Sequence, residues 1–124
     1  ALIPIAFKLK NATEPGMQMK IRDKVLNPGG LVVVTQVLDD DSFRRREDYA
    51  ATCCAIQNLL LAIHAEGLGG KWSTGALTQH PEIAHLINID TEVEEVVGFI
   101  WVGTPTQVPS IERPPVAEHI TVLD

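Results

Sequence analysis

The strongest hydrophobic signal in the sequence is the apolar run from Leu31 to Leu38, which is rich in β-branched residues. It follows the turn-forming segment Asn27–Gly30 and precedes three consecutive aspartates, Asp39–Asp41. A strand with so little polar alternation is typical of one covered on both faces, so we expect it to lie centrally in a sheet with helices around it. A second run, Val96–Gly103, predicts another buried strand.

Between these strands the pattern predicts a long helix from Ser42, a plausible N-cap, to about Glu66. Its apolar positions cover more than one stripe, so the helix is predicted to be buried either in a core or against a second subunit. These positions are Ala50, Ala51, Cys54, Ile56, Leu59, Leu60, Leu61 and Ile63. Gly67 is suited to end the helix because glycine adopts the left-handed conformation at little cost.

The remaining segments give weaker signals. Leu2–Lys10 is compatible with a strand or with the end of a helix, and Met17–Val25 predicts a short helix. Gly69–Gly75 is interpreted as a glycine-rich turn. Thr78 is expected to cap a second, shorter helix with Pro81 in its first turn. The whole pattern predicts an α+β domain with a buried sheet.

Composition limits the function without defining it. The chain has 124 residues and a net charge of −6, which argues against a nucleic-acid partner because phosphates require a basic surface. No apolar run approaches the roughly 18 residues of a membrane span, so no membrane association is expected. The adjacent Cys53 and Cys54 would pair only with strain on a helix, which favours reduced thiols in a cytoplasmic protein.

An ordered set of motifs provides the functional signal. The predicted long helix contains an acidic dipeptide and small residues near its start, Glu47–Ala51, and continues through Asn58–Ala62. The segment Gly67–Gly75 (Gly-Leu-Gly-Gly-Lys-Trp-Ser-Thr-Gly) follows it. A strand then ends in Gly-x-Pro within Val97–Pro105, and Arg113-Pro114 precedes a terminal strand pattern. In order and spacing this set resembles the FMN-dependent nitroreductase family, and within it the small single-domain branch of NAD(P)H nitroreductases.

The resemblance extends from Lys20 to the C-terminus, and the sequence departs from the family pattern at the start. That pattern begins with a helix bearing Arg-Arg-Ser or Arg-Arg-Thr, which grips the flavin phosphate. Here the only arginine run is Arg44–Arg46, at the wrong place in the order. The resemblance therefore implies that residues 1–124 form a partial nitroreductase-like domain. It would have a central mixed sheet flanked by helices and would correspond to the C-terminal two-thirds of the family's domain.

The resemblance also implies that the protein is an oxidoreductase. In such an enzyme, FMN accepts hydride from NAD(P)H and then reduces nitroaromatics, quinones or similar small acceptors in a ping-pong sequence. The resemblance places Trp72, Ser73 and Thr74 at the flavin and Arg113 near its phosphate, and it assigns no catalytic side chain. Two other interpretations stay open: a non-catalytic flavin- or ligand-binding member, and an inactive fragment of the fold.

Each candidate site residue has a structural alternative. Trp72 could simply pack on a tight turn, and Arg113 could be an exposed arginine in a tail. Lys71 could contribute charge to a phosphate, although a surface lysine is the simpler interpretation. The four histidines lack the i, i+4 or His-x-His spacing of a metal site, so no metal is expected.

The assembly expected from the resemblance is a homodimer. The broad apolar surface of the long helix would pair the subunits, and residues 119–123 would form a strand. Because Val108–Pro115 is rich in proline and extended, that strand could reach the partner's sheet and carry Arg113 toward the partner's flavin phosphate.

Overall fold

The computed structural model describes residues 1–122. These residues form helices and strands around one sheet, and after the last strand the described part continues as an irregular tail with one 3₁₀ turn. The helices are α1 (Leu2–Leu9), α2 (Pro15–Leu26), α3 (Ser42–Ala65) and α4 (Pro81–Ile87); the strands are β1 (Gly30–Val37), β2 (Gly69–Ser73) and β3 (Glu94–Gly103); and the 3₁₀ turn is Val116–His119.

The three strands pair antiparallel in the order β1-β3-β2. The α+β class expected from the sequence is therefore confirmed, but the pairing among residues 1–122 is antiparallel rather than mixed. β1 is also not central as expected: β3 is the longest strand and takes both partners, which leaves β1 at an edge with Val32 42% exposed. A β-bulge opposite the Val34–Thr35 step interrupts the β1–β3 register.

One face of the sheet is covered by α3, and we call it the α3 face. Its core is formed by Ile56 and Ile63 of the helix with Val97 and Ile100 of β3, and Trp72 of β2 packs against them. Ile56 and Ile100 are at most 1% exposed, so the centre of this contact excludes water. Most of the remaining α3 surface is exposed.

The opposite face is covered by α1 and α4, and we call it the cavity face. Here Ile5 of α1 and Ile83 of α4 pack on Phe99, and Trp101 meets Phe99 edge to face with ring centroids 6.2 Å apart. α1 and α2 also pack on each other through Ala6, Ala12 and Ile21. An exposed ion pair between Lys8 and Glu82 joins α1 to α4 at 3.0 Å, and the hydrogen bond from Lys8 lowers the pKa of the Glu82 carboxyl.

Local chemistry sets the helix ends. Asp41 rather than Ser42 caps α3, because its carboxylate accepts a hydrogen bond from the Phe43 amide at 2.9 Å. Gly67 follows the helix with φ of 74°, as the sequence predicts. The prediction that Thr78 caps the short helix is wrong: its hydroxyl donates to the Gly75 carbonyl at 2.8 Å, and the cap is His80, whose Nδ1 accepts from the Glu82 amide.

Two segments differ from the sequence predictions. The supposed glycine-rich turn contains strand β2, because Gly69–Ser73 pairs residue by residue with β3. The terminal strand predicted for residues 119–123 is absent from its described part: His119 ends the 3₁₀ turn, and residues 120–122 are irregular. Leu123 lies outside the described residues. Conversely, the ambiguous start of the chain is helix α1, with Pro4 tolerated in its first turn.

Candidate functional site

A cavity with a volume of about 890 Å³ lies on the cavity face. Its walls come from α1, α2, strands β2 and β3, the segment between β2 and α4, and the chain segment after β3. Phe99, Trp101 and Leu77 provide apolar and aromatic lining, while Ser73 and Thr74 provide hydroxyl groups. An apolar lining with a few polar groups is the usual character of a small-molecule site.

Strand β2 divides its side chains between the two faces. Successive residues of a strand point to opposite sides of the sheet. Lys71 and Ser73 line the cavity opposite Trp101 and Phe99 of β3. The Trp72 side chain packs against the α3 core, and a Cβ atom on Gly70 would point toward α3. The structure therefore brings Ser73 and Thr74 together at the cavity and places the Trp72 side chain on the other face.

The Trp72 indole fits against a position that only glycine can occupy. A Cβ atom at Gly98 of β3 would overlap both Nε1 and Cδ1 of the indole. The indole Nε1 is buried and has no hydrogen-bond partner within residues 1–122. A buried donor without a partner costs about 1–3 kcal/mol, so the favourable contribution of this side chain comes from packing. Any contact of Trp72 with a ligand in the cavity would involve its backbone.

The end of β2 is organised by a short turn. Gly75 has φ of 107°, a conformation that other residues adopt only with strain. The Thr78 amide and hydroxyl both bond to its carbonyl, at 3.0 Å and 2.8 Å, and Thr78 is 6% exposed. This turn places Thr74 at the cavity. The Thr74 side chain is exposed, so its hydroxyl can form a hydrogen bond with a ligand.

The charged residues at the cavity are mostly basic. Lys10, Lys24 and Lys71 line it together with a single acidic residue, Asp23. Lys10 caps the C-terminal end of α1, Lys24 lies in the last turn of α2, and Lys71 is in the middle of β2. The sequence singled out only Lys71; nothing in the local pattern around Lys10 or Lys24 shows that they share a cavity with it.

Arg113 is separate from this group. It lies in the exposed tail and does not line the cavity in the single chain. The earlier part of the tail does reach the site: Pro105, Gln107 and Pro109 line the cavity and also a smaller one of about 290 Å³ beside His64. Pro105 packs close to Gly69, where a Cβ atom would lie 3.4 Å from it.

Other kinds of site find no support in the described residues. None of the helices within residues 1–122 combines the length and the hydropathy needed to cross a membrane. Over the same range there is no group of three or more His, Cys, Asp or Glu side chains placed to hold a metal ion.

Comparison with known proteins identifies the family. The family model described as "Nitroreductase family" matches residues 5–104. The chain therefore belongs to the nitroreductase family.

Two curated relatives have similar sequences. "Putative NAD(P)H nitroreductase YdjA" from Escherichia coli K12 is 31% identical in an alignment of 101 positions that covers 77% of this chain and 55% of that protein. "Putative NAD(P)H nitroreductase YfhC" from Bacillus subtilis 168 is 32% identical in an alignment of 97 positions that covers 77% of this chain and 49% of that protein. The chain thus spans about half the length of the curated relatives it matches.

Solved structures have the same fold. A nitroreductase-like family protein from Bacillus cereus superimposes with a TM-score of 0.73 at 27% identity, over 98% of this chain and 66% of that one. A protein described as a "putative nitroreductase" from Desulfovibrio desulfuricans, solved in complex with FMN, gives a TM-score of 0.63 at 25% identity, over 87% of this chain and 60% of that one. The nitroreductase-like fold expected from the motifs is confirmed.

Proposed function

We propose that this protein is an FMN-dependent oxidoreductase that uses NAD(P)H to reduce nitroaromatics, quinones or similar small acceptors in the cytoplasm. The observation that carries the proposal is the 890 Å³ cavity on the sheet of a nitroreductase-family chain, with Ser73 and Thr74 at its edge. Two relatives named as NAD(P)H nitroreductases and a similar structure with bound FMN support it.

The residues at the cavity fit a flavin mononucleotide. The volume lies within the range of about 300–1,000 Å³ that is common for ligand sites. The aromatic and aliphatic surface of Phe99, Trp101 and Leu77 suits a planar ring system, and the hydroxyls of Ser73 and Thr74 can donate to or accept from its polar edge. Arg113 could donate two hydrogen bonds to a phosphate if the tail were carried to a site on a second subunit.

The protein's part in the reaction would be binding and orientation. FMN supplies the hydride chemistry when bound, so no acid or base from the chain is required for that step. Hydroxyl and backbone donors from residues 72–74 would fix the ring position, and the apolar lining would exclude water from the reacting face.

The proposal is tested by flavin loading and reduction. We expect that purified protein incubated with FMN and passed through a desalting column is yellow, and that anaerobic addition of NADPH or NADH bleaches the flavin absorbance. Free FMN treated in the same way is the control for direct reduction. Retained colour without bleaching would identify a non-catalytic flavin-binding protein, and a colourless eluate would contradict flavin binding altogether.

We further propose that the protein is a homodimer in which the subunits pair through α3 and the C-terminal tail of each subunit pairs with the sheet of the other. α3 leaves large apolar side chains in solvent: Phe43 is 67% exposed, Tyr49 43% and Leu61 58%. Such a surface is typical of an interaction site. Within residues 1–122, β1 and β2 each have one edge that pairs with no other strand. The tail of a second subunit, which is irregular at residues 120–122 in the single chain, would become a strand only by pairing with one of these edges.

Deleting residues 114–124 tests this assembly. We expect the full chain to be dimeric by light scattering at micromolar concentration, and the deletion variant to shift toward monomer and to bind FMN more weakly. Both changes should appear together, because the tail would supply the β-pairing and also position Arg113. An unchanged dimer with unchanged FMN affinity would show that the tail is a surface appendage.

A further inference from the structure

The cavity differs in charge from the rest of the molecule. The chain as a whole carries a net charge of −6, yet the charged side chains lining the cavity are three lysines and one aspartate. A local excess of two positive charges on an acidic protein indicates attraction for an anion at this place.

The three lysines are not used in ion pairs. The pairs found within residues 1–122 join Lys8 to Glu82 and Arg44 to Asp39, and they involve none of Lys10, Lys24 and Lys71. All three lysines are exposed, so their ammonium groups can reorient toward a ligand.

Two of these lysines have another explanation. Lys10 and Lys24 lie at the C-terminal ends of α1 and α2, where a cation also stabilises the helix dipole. Lys71 has no such role, because it lies in the middle of strand β2. It is directly opposite Trp101, and Ser73 lies two residues further along the same face, about 7 Å away.

We propose that Lys71, assisted by Lys10 and Lys24, binds the phosphate of the ligand in this cavity. This inference rests on the proposed function, since the ligand would be FMN or a nicotinamide dinucleotide, and both carry phosphate. The lysine ammonium donates charge-assisted hydrogen bonds to phosphate oxygens, while Ser73 and the aromatic lining contact the uncharged remainder of the ligand.

Replacing one lysine at a time tests the proposal. The test variant is Lys71→Gln, and the control is Lys20→Gln, which removes the same charge from an exposed position of α2 that does not line the cavity. Dissociation constants would be measured by calorimetry for FMN and riboflavin, and for NADPH and nicotinamide riboside. Each pair contrasts a phosphorylated ligand with a related compound that lacks phosphate.

We expect Lys71→Gln to weaken the binding of a phosphorylated ligand by about threefold to tenfold, and its phosphate-free counterpart by less than twofold. Lys20→Gln should leave all four constants unchanged. An effect confined to FMN identifies the flavin phosphate as the bound group, and one confined to NADPH identifies the dinucleotide. The affinity of the native protein should also fall as ionic strength rises, because the lysines are exposed to solvent.

The outcomes separate this inference from the proposed function. Equal affinity of the native and Lys71→Gln proteins for every phosphorylated ligand overturns the lysine assignment, even if flavin binds and is reduced. Absence of flavin binding overturns the proposed function, but a loss of NADPH affinity in Lys71→Gln would then still support the phosphate site. Failure to bind any of the four compounds at millimolar concentration contradicts both.

Discussion

The two faces of the sheet share the same strands but differ in how they are filled. On the α3 face, Ile56 and Ile100 are almost completely buried, and two glycines allow close approach of their neighbours. A Cβ atom at Gly70 would lie 2.7 Å from Leu60, and one at Gly98 would overlap Trp72. The cavity face instead keeps 890 Å³ open beside Phe99 and Trp101.

This difference shows how one short strand can serve stability and binding at once. In β2, Trp72 packs into the α3 core and Gly70 leaves room for Leu60 of α3. Lys71 and Ser73 line the cavity, where they can contact a ligand. Because neighbouring side chains point to opposite faces, substitutions at adjacent positions should have different kinds of effect. Changes on the α3 face should alter the free energy of unfolding, and changes on the cavity face should alter ligand affinity.

The largest effect is expected from Gly98→Ala. The added methyl group would collide with the Trp72 indole in the central strand, and neither the strand nor the packed ring can move without disturbing the α3 core. Overpacking of this kind costs about 2 kcal/mol, so the midpoint of chemical denaturation should fall clearly at fixed protein concentration. Gly30→Ala is the matched control, since a Cβ atom there meets nothing within 4 Å.

The double variant Gly98→Ala/Trp72→Leu sharpens this test. A smaller side chain at position 72 leaves room for the new methyl group, so the two substitutions together should cost less than the sum of their separate effects. Strict additivity, or a stability of Gly98→Ala equal to that of Gly30→Ala, would mean that the close contact between Gly98 and Trp72 does not exist in solution.

Local sequence patterns were sufficient for the elements with strong periodicity. The runs at Leu31–Leu38 and Val96–Gly103 predicted β1 and β3, and Gly67 marked the end of α3 correctly. β2 was missed because two glycines and a lysine have low strand propensity, and its conformation depends on pairing with β3. The edge position of β1 was missed for a similar reason, since strand order is a property of the whole fold.

The assignment of Trp72, Ser73 and Thr74 to the flavin stays a prediction, because the sequence could not show how these residues divide between the faces. In the structure Ser73 and Thr74 line the cavity, whereas the Trp72 side chain packs on the α3 face. A glycine within a strand, such as Gly98, signals a close approach but does not identify the neighbour. Lys10 and Lys24 reach the cavity because α1 and α2 pack together, and this tertiary contact leaves no mark in a short stretch of sequence.

Thr74→Trp is expected to change the free energy of unfolding much less than Gly98→Ala does, but to weaken FMN binding. Thr74 is exposed at the cavity edge and makes no side-chain hydrogen bond within residues 1–122, so its replacement should change the free energy of unfolding by less than about 0.5 kcal/mol. The indole would occupy part of the cavity and should weaken FMN binding by about tenfold or more, measured by flavin retained after desalting. Thr91→Trp is the control, because Thr91 is also exposed but lies away from the cavity. If Thr74→Trp lowers stability as much as Gly98→Ala, the two faces of the sheet do not differ in their contribution to folding. If it retains FMN as well as Thr91→Trp does, the cavity face is not the binding face.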